Sequence, residues 1–166
     1  MEILAAFLML ALAAIAQNSV VTRINLLAGA ADLVLLVLLS WILQSGEKKP
    51  VKWGIVAGVL VGFSSASPIL VSVVGYLIVI GFVMLLQTRI WQAPYWMLLT
   101  STFFGTIAVY GFEISYWWVN GYPFDFVEMF NIVILPSVVL NVLFVLPVYL
   151  FVGEIVKMSS SLEVEV

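Results

Sequence analysis

The chain contains no histidine and no cysteine, and only 9% of its 166 residues are charged. The first absence removes the commonest general base and metal ligand. The second removes thiolate nucleophiles, disulfides and thiolate metal sites. A net charge of −3 argues against nucleic acid as a partner and against a polybasic lipid-binding surface. No phosphate-cradling glycine loop, dinucleotide-binding glycine pattern, metal-ligand cluster or serine elbow occurs. The serines near residue 65 have no base close in sequence, and no pair of aspartates is spaced for intramembrane proteolysis. No catalytic residue, metal ligand or cofactor site is therefore assigned, and the chain is not expected to be an enzyme.

What is present is apolar. Hydrophobic residues make up 64% of the chain and the mean hydropathy is +1.23, against an apolar share of about 45–50% in soluble domains. A helix needs about 20 mostly apolar residues to cross a hydrocarbon layer of about 30 Å. The long runs lack the alternation of a membrane barrel, and an open sheet cannot satisfy its backbone in lipid. The expected fold is all-α: one membrane domain over 1–166, with six spans in a compact bundle.

The spans are read at about 3–21, 24–43, 53–67, 69–87, 94–118 and 128–156, with a polar, acidic tail at 157–166. The first run competes with a secretory signal peptide, since Ala14-Ile15-Ala16 resembles a cleavage site. Met1-Glu2 supplies no basic residue ahead of it, which favours a retained helix. Gln44 to Lys52 is the clearest polar loop, with Gly46 and Pro50 as stop signals and three lysines, Lys48, Lys49 and Lys52. Trp53 is expected at an interface, as in an aromatic belt. Ser64-Ser65-Ala66-Ser67-Pro68 divides the next apolar stretch, whose first half is either a short half-helix or extends into the serine turn. Pro94 suits a first helical position. The last span is too long to stand straight and upright, and Pro136 and Pro147 allow bends.

Short-loop charges set orientation. An N-terminus inside places Lys48, Lys49, Lys52, Arg89 and Lys157 on the cytoplasmic side and leaves only Arg23 outside. Both termini are thus expected in the cytoplasm.

Few residues could carry chemistry. Asp32, in the outer half of the second span, reads either as a proton or ligand site or as a hydrogen-bonded residue that fixes helix position; the second is favoured. Glu113, among Tyr110, Tyr116, Trp117 and Trp118, either pairs with Arg23 or a partner or reaches interfacial water. Asp125 and Glu128 read either as an outer binding feature or as ordinary flanking acids at a helix start; the second is favoured. Gly54, Gly58 and Gly62 share one helical face and permit close helix packing, within the chain or with a partner. Asn141 lies between Pro136 and Pro147 and could satisfy a carbonyl freed by proline or link two helices.

Taken in order, these features resemble the bacterial rod shape-determining MreD family over nearly the whole chain. The residues that carry the resemblance are Gln17, Ala31-Asp32-Leu33, Gly54-Ile55-Val56-Ala57-Gly58, Ser67-Pro68 and, above all, Leu135-Pro136-Ser137-Val138-Val139-Leu140-Asn141 with Pro147. Three positions depart from the pattern. Ala31 stands where the family often has proline, Gly62 where an aspartate is common, and Leu70 where a glycine is frequent. The resemblance implies a six-helix scaffold in the bacterial inner membrane, part of the cell-elongation (elongasome) machinery that regulates peptidoglycan synthesis and cell shape. Its implied partner is a bitopic MreC-like protein, with a RodA–PBP2-type synthase and the MreB filament nearby. The family fold is similar to the substrate-binding subunits of energy-coupling factor vitamin transporters. That likeness supplies the alternative, a substrate-binding membrane subunit of a vitamin-type transporter.

Overall fold

The structure is a computed structural model that describes residues 2–19, 26–47, 49–88, 94–123 and 125–164. Arg23, Lys48 and Arg89, which entered the orientation argument, lie outside the described residues. Among those described, the fold is all-helical. Helices α1 (Glu2–Ser19), α2 (Leu33–Ser45), α3 (Val51–Gly62), α4 (Ile69–Gln87) and α5 (Pro94–Val119) are followed by α6 (Phe126–Met129), a π-helical turn (Phe130–Ile134) and α7 (Leu135–Val164). Three helical stretches are long and apolar enough to cross a membrane: Ile69–Gln87, Pro94–Val119 and Phe126–Ser159. Helices α1, α2 and α3 are apolar but shorter.

The bundle is built around α2. Every residue from Val34 to Ile42 is buried, as expected of a helix that is apolar all round and enclosed by others. It contacts α1, α3, α5 and α7. Ala6, Leu10 and Ala13 give α1 its buried face, while Ile3, Leu4, Leu8 and Leu12 remain exposed. Towards the end of α2, the Gln44 amide donates to the carbonyls of Ser40 at 3.2 Å and Tyr149 at 2.8 Å. Its side chain lies over Gly153, where any added carbon would meet it. Gly46 then closes α2 in the left-handed conformation, φ +63°.

Some boundaries differ from those read in the sequence. The second apolar run is helical only from Leu33, so α2 is about 20 Å long. Asp32 stops it by serving as N-cap, and residues 26–32 run non-helically. The third run ends at Gly62 rather than 67. There Phe63 N–H bonds Val59 O, while Ser64 and Ser65 N–H both bond Val61 O. Ser67 N–H then turns to Ser65 Oγ at 2.9 Å, and Pro68 directs the preceding residue away from helix. Helix α7 continues to Val164, through most of the stretch read as the polar tail. Trp53, expected at an interface, is 4% exposed, and its indole donates to Glu47 Oε2 at 2.9 Å.

Candidate functional site

The non-helical stretch before α2 lies against the start of α7, and a proline explains why. Pro136 has no N–H to give the carbonyl of Ile132, four residues earlier. The N–H of Ala28 bonds that carbonyl instead, at 3.1 Å. The π-helical turn at Phe130–Ile134 immediately precedes this break. Gly29 closes the contact: a methyl group there would lie 2.7 Å from both Ser137 N and Val133 O. Ala30 N–H donates to Ser137 Oγ at 3.2 Å, and Ala30 O accepts from Tyr110 at 3.2 Å. The chain pays for one strained residue here, Leu27 with φ +56°.

Asp32 is the centre of this joint and is 3% exposed. Its backbone N–H donates to Asn141 Oδ1 at 2.7 Å. Its Oδ1 accepts from Leu35 N–H at 3.0 Å, the bond expected of an aspartate N-cap. The phenol of Tyr76, fully buried on α4, donates to both carboxylate oxygens at 2.8 and 2.7 Å. Asn141 passes its amide on to Thr106 Oγ1 at 2.9 Å, and Thr106 in turn donates to Thr102 O at 2.7 Å. Gln17 of α1 accepts from Val34 N–H at 3.1 Å, so a second orphan donor of α2 is satisfied from another helix. Side chains from α1, α4, α5 and α7 thus converge on one helix start.

This arrangement can hold helices together, and it answers the cost of placing a carboxylate deep in an apolar bundle. Asp32, Tyr76, Thr106, Ser137 and Asn141 are all buried, and they bond protein groups. No protein-family model, curated protein or solved structure matches this chain. The site's meaning is therefore drawn from its own geometry.

A second polar cluster joins the serine turn to α5. Ser67 Oγ donates to Glu113, and Trp117 Nε1 donates to Ser67 Oγ at 3.1 Å. Trp117 is also packed edge-on against Tyr122, with ring centres 4.9 Å apart. Glu113 is half-buried and fastens the α3–α4 turn; Arg23, its other suggested partner, lies outside the described residues.

The glycine face is filled from within the chain. A methyl group on Gly54 would stand 2.7 Å from Ile80 Cγ1, on Gly58 2.5 Å from Val73 Cα, and on Gly62 2.8 Å from Ile69 Cα. Helix α4 occupies the whole stripe, so of the two readings of Gly54, Gly58 and Gly62 the structure shows helix packing within the chain. A larger side chain at 62 has no room beside Ile69. Pro147 sits inside α7, which stays helical through it. Asp125 caps α6 through Val127 N–H at 2.8 Å. Within the described residues no group of three or more acidic side chains could hold a metal ion.

Sequence reasoning singled out Asp32 and Asn141 but missed Tyr76, Thr106 and Tyr110. A signal existed: Thr102, Thr106 and Tyr110 recur every four residues and so share one face of α5.

Proposed function

We propose that the chain is a non-enzymatic scaffold of the bacterial cell-elongation complex, of the MreD type. It crosses the inner membrane six times with both termini in the cytoplasm. It binds an MreC-like bitopic protein and links it to peptidoglycan synthesis by a RodA–PBP2-type synthase and the MreB filament. The observation that carries this reading is where the resemblance falls in three dimensions. Ala31-Asp32 and Leu135–Asn141, far apart in sequence, meet in one buried joint through Asp32 N–H to Asn141 Oδ1 and Ala30 N–H to Ser137 Oγ. The residues that make the chain look familiar are thus those that hold its helices in place. Their burial supports action through packing and outward helix faces, not through a reacting group.

The same burial weighs against the vitamin-type transporter alternative, which needs polar side chains turned towards a substrate cavity. In the six-span arrangement, the shorter α1, α2 and α3 cross together with their flanking segments. Of the non-helical segment before α2, Gly29 to Asp32 are buried or half-buried against protein, as irregular backbone at membrane depth requires, while Leu26, Leu27 and Ala28 are exposed. Purification from native membranes with identification of co-purifying proteins tests the proposal. Recovery of a single-span MreC-like protein or a synthase is expected. A bound vitamin together with an ATPase module would overturn it.

A further inference from the structure

Between the first turns of α1 and α3 lies an open groove of about 560 Å³, lined by Ile3, Leu4, Phe7, Lys52, Trp53 and Val56. One wall repeats along α1, with Ile3 and Phe7 one turn apart; the other repeats along α3, with Lys52 and Val56 one turn apart. Ile3 and Leu4 are exposed by 67% and 60%. The groove is apolar except at Lys52, and that cation is held in place. Its ammonium is 2.9 Å from Glu47 Oε2 and 5.2 Å from the Trp53 ring centre. Glu47 is fixed in turn by Lys49 N–H at 2.9 Å and by the Trp53 indole. An ammonium carries three donors, and the Lys52 side chain remains 43% exposed.

We propose that this groove binds one glycerophospholipid, its phosphodiester on the Lys52 ammonium and an acyl chain between α1 and α3. Charge complementarity selects this occupant over a partner's transmembrane helix. A helix seated here would press apolar side chains onto a fixed cation, whereas a phospholipid offers an anion at the rim and hydrocarbon below it. Glu47 anchors Lys52 and limits the net charge of the rim, so one phosphodiester suffices and no excess anionic headgroup is required.

Native mass spectrometry of the full chain, delipidated and then titrated with defined lipids, tests this. Phosphatidylglycerol, phosphatidylethanolamine and a glucosyl diacylglycerol without phosphate serve as probes. The wild type is expected to retain one copy of either phospholipid and to bind the glycolipid more weakly by about tenfold, the worth of a charge-assisted hydrogen bond. Lys52→Gln should lose the same factor, and Val56→Trp should block retention by filling the groove. Leu143→Trp, at an exposed position on α7, should behave as wild type. Wild-type retention by Lys52→Gln, or equal binding of the glycolipid, would overturn the proposal. Lys52→Gln changes only an exposed side chain, so it decides the matter if Val56→Trp does not fold.

Discussion

Asp32 shows how one carboxylate can be kept inside an apolar bundle. Its Oδ1 accepts from Leu35 N–H, and the single Tyr76 phenol proton is shared between its two oxygens. Removing a donor leaves a buried acceptor unpaid, at about 1–3 kcal/mol in soluble proteins and about 0.6 kcal/mol on average between membrane helices. Tyr76→Phe should therefore destabilise the protein by about 1 kcal/mol, read as a lower denaturation midpoint in detergent. Asp32→Leu should cost more, because it removes the α2 cap as well. Glu47, in the loop outside the spans, makes a pH-dependent contribution. Burial would raise its pKa, but bonds from Lys49 N–H, the Trp53 indole and Lys52 outweigh this and hold it near 2, below its ordinary 4.5. A lowered folded pKa stabilises above the unfolded value and is lost on acidification. The wild type should lose stability relative to Glu47→Gln as pH falls from about 4.5 towards 2, measured by unfolding at each pH.

At the scale of elements, two close approaches set the packing. Helices α3 and α4 touch through backbone where Gly58 meets Val73 Cα. Gly58→Leu should cost at least the about 1–3 kcal/mol of overpacking, whereas Gly81→Leu, with open space around it, should be neutral or stabilising. Thermal unfolding of the two variants separates a local clash from a general effect of bulk. The second approach is residues 26–30 against the proline break in α7. Pro136→Ala restores an N–H that competes with Ala28 for Ile132 O, so amide exchange at Ala28 should quicken while α4 amides stay protected. Much of this layer was legible in advance. Gly46, the serine turn, the glycine stripe and Pro136 all announce themselves by residue type. The start of α2 was not legible: the apolar run before Asp32 is long enough to continue the helix, and its end there depends on the Asp32 cap and on the fit of residues 26–30 against α7. The partners of Asp32 were hidden for a similar reason, because Tyr76 and Thr106 are single polar groups inside apolar runs, and only tertiary packing brings them to it.

For the whole molecule, the shortage of chemistry and the placement of what chemistry exists tell the same story. The polar side chains around Asp32 bond one another, while the hydroxyls of Ser40, Ser101 and Thr102 are buried without a partner. The small residues admit neighbouring helices, and large apolar faces of α1, α5 and α7 remain outward. Sidedness follows from the six-span proposal: single cysteines at Ser45 and Gly121 should label from opposite sides of the membrane, and labelling from one side would defeat that topology. The central claim is that the Asp32 joint supports a binding surface rather than performing a reaction or carrying a proton. Partner capture from native membranes by Asp32→Asn measures this most directly, with folding verified by its denaturation midpoint. Asparagine keeps the size and an acceptor for the α2 cap while abolishing ionisation, so undiminished capture of the MreC-like partner and sustained rod growth are predicted. Loss of both by a folded Asp32→Asn protein would contradict the account and make Asp32 a chemical site.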